Sequence, residues 1–260
     1  MNWLYTFSGL VVGFIVGVTG VGGGSLMTPL LVLAFGVAPA TAVGTDLLYA
    51  ALTKMGGSWA HGRRGTVEWK VVGLLAAGSL PAALICMALL HYLALDDKTL
   101  RLVITNALSV ALVLTALALL FKPYLQKLGG SKDGAVYELH ERHLGGATIL
   151  TGVALGALVT ISSVGAGALG GAALLFLYPR LPIVKIVGTD IAHAVPLTLV
   201  AGLGYAALGT VDYELLGSLL LGSLPGIWIG SHISARIPDR ILRPVLATML
   251  MIIGCKLILS

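Results

Sequence analysis

The chain has 260 residues, of which 57% are hydrophobic and only 10% charged, and its mean hydropathy is +0.99. A soluble domain carries about 25% charged residues, so the composition excludes a soluble globular protein and indicates an integral membrane protein. The net charge of +5 does not mark a nucleic-acid binder, because the basic residues fall in loops between apolar runs.

The first apolar run, Leu4 to Val18, carries Gly9, Gly13 and Gly17 at four-residue spacing. They form a smooth stripe suited to close helix packing. No basic n-region or cleavage pattern marks this run as a removable signal peptide. It ends in Thr19-Gly20-Val21-Gly22-Gly23-Gly24-Ser25, and a second short run extends from Leu26 to Phe35. Three longer runs follow, about Ala40 to Ala60, Val71 to Leu95 and Leu100 to Phe121. The stretch 122–143 is polar and mixed in charge, and reads as a solvated cytoplasmic linker. Beyond it comes another short run, Leu144 to Ile161, then the looser cluster Ser163-Val164-Gly165-Ala166-Gly167-Ala168, then Leu169 to Leu177. Three longer runs close the chain, about Ile183 to Ala207, Leu215 to Ile233 and Ile241 to Leu259. The four runs flanking the glycines are shorter than the about 20 residues a spanning helix needs. Each cluster therefore predicts a discontinuous helix or a re-entrant hairpin, which membranes tolerate only inside protein or beside a cavity.

Three blocks recur at one offset of 144 residues. Val43-Gly44-Thr45-Asp46 returns as Val187-Gly188-Thr189-Asp190, Gly65-Thr66-Val67 as Gly209-Thr210-Val211, and Gly78-Ser79-Leu80-Pro81 as Gly222-Ser223-Leu224-Pro225. The protein is a duplicated unit: residues 1–121 form one membrane repeat, 122–143 the linker, and 144–260 the second repeat. The expected fold is all-α and polytopic, with two inverted repeats, each a broken helix or re-entrant hairpin plus three transmembrane helices. Lysine and arginine counts decide the inversion. If each glycine segment enters and leaves on one side, thirteen of these residues share a face and only Lys98, Arg101 and Lys256 lie opposite. If each segment crosses instead, the split is about seven to nine and no bias remains.

Asp46 and Asp190 are the acidic residues that fall within apolar runs. A carboxylate in hydrocarbon costs about 2.5 kcal/mol or more unless it faces a cavity or a partner. One reading has Thr45 and Asp46 capping a helix that starts there. The other places Thr45 and Thr189 at a solute and makes Asp46 and Asp190 proton carriers, with His193 one turn from Asp190 sharing the proton. Lys54, two turns after Asp46, reads first as a snorkelling side chain and otherwise as a contact for an anion. Cys86 and Cys255 lack metal or redox spacing, and no cation cage or metal site is expected. Where a helix restarts, its unpaired N–H groups carry the positive end of the dipole, and glycine lets a ligand approach the backbone. Gly20, Gly22, Gly23 and Gly24, with Ser163, Gly165 and Gly167, thus suit an anion at mid-membrane.

The first glycine motif, Pro29, and Ala42-Val43-Gly44-Thr45, echoed in the second half, resemble the TauE/SafE sulfite-exporter family over essentially the whole chain. The resemblance implies a multi-pass inner-membrane secondary transporter for a small sulfur oxyanion: sulfite, thiosulfate, or a sulfonate such as sulfoacetate. It implies no cofactor, with the solute and the lipid bilayer as partners, the carrier working alone or as a homodimer. The expected driving force is proton coupling through Asp46 and Asp190 or the electrochemical gradient. ATP hydrolysis is not expected, since no GxxxxGK[ST] string occurs. The competing readings are a passive anion channel and an intramembrane aspartyl protease using Asp46 and Asp190. Against the protease, both aspartates lie in GTD and not GxGD; hydrolase and zinc signatures are also absent.

Overall fold

The computed structural model describes residues 3–19, 24–93, 96–128, 134–234 and 239–258. Among them the chain forms ten helices and no strand: α1 (Trp3–Thr19), α2 (Gly24–Leu33), α3 (Pro39–Arg63), α4 (Trp69–Tyr92), α5 (Asp97–Leu128), α6 (Gly134–Ser162), α7 (Ala168–Leu177), α8 (Ile183–Ala207), α9 (Tyr213–Ser234) and α10 (Asp239–Ile258). Trp69–Tyr92, Lys98–Phe121, His143–Ser162, Ile183–Ala207 and Tyr213–Ile233 are each long and apolar enough to cross a membrane. The fold is the all-α, polytopic one that composition demands.

Local chemistry sets the helix ends. Asp96 caps α5, its carboxylate accepting the Thr99 hydroxyl at 2.6 Å and N–H at 3.2 Å. Asp212 caps α9 through the Leu215 N–H at 2.9 Å. Gly65 and Gly209 turn the chain out of α3 and α8 at φ 64° and 73°, backbone that glycine adopts without strain.

Two expectations are overturned. Thr45 and Asp46 do not cap a helix, because α3 already starts at Pro39, whose missing N–H removes one of the donors a helix start leaves unpaired. Nor is the run before the second cluster short: α6 continues back to Gly134 and offers a twenty-residue apolar stretch, His143–Ser162. The polar residues ahead of Leu144 are compatible with helix, so helical hydrogen bonding runs on past the end of the apolar run. The linker correspondingly shrinks, since α5 reaches Leu128 and α6 resumes at Gly134.

The two halves interlock. The most extensive packing is α1 on α9, α4 on α6, α3 on α8, and α5 on α10. Exchanging the halves converts the first pair into the second and returns the other two unchanged. Glycines make these crossings. A Cβ on Gly9 would fall 2.5 Å from the Leu219 carbonyl oxygen, and one on Gly13 2.5 Å from that of Ser223. The counterpart crossing repeats this, with Gly152 against the Leu75 carbonyl and Gly156 against that of Ser79. Small residues let helix backbones touch where no hydrophobic force drives them together. Helices α3 and α8 run antiparallel, Gly44 lying on Tyr205, Gly202 on Leu48 and Gly57 on Ile191.

Along Ala42 to Ala51 every residue of α3 is buried. A stretch enclosed by protein on all sides can carry Thr45 and Asp46 without exposing them to lipid. Helices α2 and α7 have ten residues each, about 15 Å at 1.5 Å per residue, or half of a 30 Å hydrocarbon core.

Candidate functional site

The second glycine break, 163–167, is bent by three residues with positive φ: Ser163 at 58°, Gly165 at 116° and Gly167 at 138°. The Gly165 and Gly167 carbonyls accept the Gly170 and Gly171 N–H groups and so start α7. Gly24, first residue of α2, lies against this break: a Cβ there would fall 2.0 Å from the Ser163 carbonyl oxygen and 3.3 Å from an Asp46 carboxylate oxygen. The start of one half-length helix therefore meets the break that precedes the other. Gly20, Gly22 and Gly23 lie outside the described residues.

Asp46 is completely buried at this junction. Its Oδ2 accepts the Thr28 hydroxyl at 2.5 Å and the Ser163 hydroxyl at 3.0 Å, one donor from each half. Its Oδ1 has no partner. Lys54 does not snorkel: its Nζ donates to the Ala166 carbonyl oxygen at 2.5 Å, inside the break of the opposite half. From there its charge reaches both Asp46 and Asp190. Asp190 is 5% exposed, and one of its oxygens packs against Gly170 so closely that a Cβ there would sit 2.0 Å away. His193 is buried, and its Nε2 lies 2.8 Å from the Ser79 hydroxyl. Asp46, Lys54, Ser163, Gly24 and Asp190 are thus gathered at one place, with His193 near enough to feel the Lys54 charge.

Thr45 and Thr189 are engaged elsewhere. The Thr45 hydroxyl accepts the Asp212 N–H at 3.1 Å, and the Thr189 hydroxyl accepts the Glu68 N–H at 3.0 Å. The repeat makes these the same contact, each threonine holding the other half's Gly-Thr-Val-acid loop. Thr45→Val and Thr189→Val should each cost about 1 kcal/mol, the loss of one part-buried hydrogen bond. Unfolding in detergent would measure it, and a pair of wild-type midpoints would refute the assignment. The acids that follow differ in use: Asp212 caps its own helix, whereas Glu68 pairs with Lys185 at 2.5 Å. That ion pair is partly exposed and worth little in stability.

Sequence reasoning missed Thr28 and Ser79. Thr28 is the one hydroxyl inside the apolar run Leu26 to Phe35, a signal as plain as an aspartate in hydrocarbon. Ser79 was visible as part of a repeated block, without a function attached to it.

The described residues contain no group of three metal-ligating side chains. What the junction offers is two carboxylates, one ammonium, hydroxyls and helix-start backbone, a set suited to exchanging a proton and a small polar solute rather than to bond chemistry.

A family profile described as Sulfite exporter TauE/SafE matches residues 5–257. The Probable membrane transporter protein YjnA of Bacillus subtilis (strain 168) is 40% identical over 250 residues, covering 96% of this chain and 97% of that protein. The Probable membrane transporter protein YdhB of the same organism is 28% identical over 241 residues, 90% of each chain. A Probable membrane transporter protein of Xylella fastidiosa (strain 9a5c) is 27% identical over 236 residues, 88% of this chain and 83% of that one. No solved structure matches the chain. Spanning helices, a polar junction sealed inside them and a family match over nearly the full length agree: the chain belongs to the sulfite exporter TauE/SafE family, and is a multi-pass inner-membrane transporter and not an enzyme.

Proposed function

We propose that the protein is a secondary carrier of a small sulfur oxyanion, with the solute held where the two glycine breaks approach one another. The observation that carries this reading is the clasp across the halves: Asp46 and Lys54 of the first repeat both bond to the break of the second. A polar centre built from both halves is what a carrier needs if one half rocks against the other about a fixed site.

Two inverted repeats fit this reading. The equivalent helices α3 and α8 are antiparallel, and the contacts made by one half are returned by the other. A pseudo-twofold relating them is then perpendicular to the helices and lies in the membrane plane. The lysine and arginine count places the Arg63-Arg64 loop in the cytoplasm, where Arg63 stacks on Trp59 at 4.1 Å as an interfacial anchor.

Charge supports proton coupling. Two carboxylates and one ammonium leave the junction short of positive charge, so an incoming anion is repelled unless a carboxylate is neutral. Helix-start dipoles alone supply only about half a charge each. A proton taken up with the anion removes the conflict.

The test is flux of radiolabelled sulfite, thiosulfate and a sulfonate into proteoliposomes holding the purified chain. Saturable flux of at least one anion, blocked by unlabelled anion, is the expected result. Non-saturating flux would point to a channel, and no flux with any of the three would reject the substrate class. The protease alternative falls with the family assignment, and Asp46 is bonded to Thr28 and Ser163 in place of a catalytic partner.

A further inference from the structure

The two halves of the junction are saturated to different degrees. Under the repeat, Tyr49 of α3 corresponds to His193 of α8, and Ser223 of α9 to Ser79 of α4. His193 and Ser79 are hydrogen-bonded to each other. Tyr49 is 1% exposed, and its hydroxyl lies beside that of Ser223, which donates to the Leu220 carbonyl at 3.4 Å, so the phenol O–H makes no well-formed hydrogen bond. One turn before it on the same helix, Asp46 Oδ1 is likewise buried and unpartnered, and the two groups are within electrostatic reach of one another. Buried polar atoms are nearly always bonded; of the six left unpartnered among the described residues, these two alone share a helix, an acceptor one turn from a donor at the junction.

We propose that Tyr49 and Asp46 form the polar half of the solute site, and that one proton moves with each oxyanion, shared between Asp46 Oδ1 and a solute oxygen. This rests on the carrier reading above. The chemistry follows from what each orphan can do. Tyr49 donates its O–H to a solute oxygen. Asp46 Oδ1 accepts a hydrogen from an oxyanion that still bears one, or carries that hydrogen itself when the oxyanion has none; either way the load is one anion and one proton. Lys54, bonded to the Ala166 carbonyl, supplies the balancing positive charge from the same helix. The other charged or titratable groups nearby are Asp190 and His193 of α8, both in reach of Lys54. Those at the ends of the neighbouring spans, Lys98 and Arg101 of α5, Glu214 and His232 of α9, are exposed. The equivalent position in the second half cannot serve in the same way, since its histidine is already bonded and Lys54 is replaced there by Thr198, which donates to its own helix backbone at 2.8 Å.

Tyr49→Phe tests this with little structural risk, because it removes a hydroxyl that makes no well-formed hydrogen bond. The experiment is radiolabelled sulfite flux in proteoliposomes loaded with a pH-sensitive dye, for wild type, Tyr49→Phe and Asp46→Asn, with thermal unfolding measured alongside. A hydrogen bond to a charged solute is worth roughly ten- to a hundredfold in affinity. Tyr49→Phe should therefore unfold at or above the wild-type temperature while its apparent KM for sulfite rises about tenfold or more. Asp46→Asn should lose sulfite-driven proton entry. Wild-type KM in Tyr49→Phe, or undiminished proton entry per sulfite in Asp46→Asn, overturns the proposal. Should Asp46→Asn not fold, the KM of Tyr49→Phe decides it. Wild-type protein that moves no sulfur anion fails the carrier reading itself, whereas wild-type sulfite flux with no accompanying proton fails the coupling alone.

Discussion

Gly78→Val and Gly222→Val should yield almost no folded protein, the largest structural effect expected from any single substitution here. A Cβ on Gly222 would fall 1.8 Å from the Thr6 carbonyl oxygen and 2.8 Å from the Leu10 nitrogen. On Gly78 it would fall 2.0 Å from the Ile149 carbonyl oxygen and 2.8 Å from the Val153 nitrogen. Backbone atoms of a packed helix cannot step aside as a side-chain tip can, so α1 must leave α9, or α6 must leave α4. Overpacking costs typically about 1–3 kcal/mol and occasionally more. Here whole helix faces separate, so the upper end or beyond is expected. Gly73 and Gly217 are the matched controls: they sit in the same two helices, 144 residues apart, and a Cβ on either meets nothing within 4 Å. Alanine at these two should be neutral or stabilising by up to about 1 kcal/mol. Monodisperse yield and thermal midpoint in detergent give the comparison. Normal yield of Gly222→Val would mean that α1 does not lie where it is placed.

Lys54→Gln should abolish transport, with flux falling about a hundredfold or more while the protein remains folded. The ammonium is what offsets the negative charge of Asp46 and Asp190 at the junction, and an uncompensated buried charge is costly. Glutamine keeps a donor for the Ala166 carbonyl but supplies no charge, so it separates the electrostatic role from the bonding one. Flux of labelled anion per reconstituted protein is the readout. Wild-type flux in Lys54→Gln would reduce the lysine to a structural strut.

Much of this was legible from local features. Each apolar run became a helix, most of them near the expected limits, because hydropathy reports directly on the solvent a segment must live in. The stripe Gly9, Gly13, Gly17 marked a helix crossing, since three missing side chains on one face have few other uses. The run before the second cluster misled, because apolar length alone says nothing of how far a helix continues into polar residues. Thr45 and Thr189 drew attention for being polar in hydrocarbon, yet the structure turns them to the loops of the opposite half. Equal offsets told that these residues are equivalent without telling what they touch.

By itself, the sequence determined that this is a membrane protein, that three blocks recur at one offset, that glycine clusters fall between its apolar runs, and that two aspartates lie within such runs. These are consequences of composition and spacing, which act along the chain. Tertiary structure alone decided that Asp46 reaches Ser163, that Lys54 reaches Ala166, that His193 is satisfied by Ser79, and that Tyr49 is left unpaired. The three contacts each join residues of opposite halves, and such a meeting depends on which faces come together in space; no periodicity along a single helix encodes it.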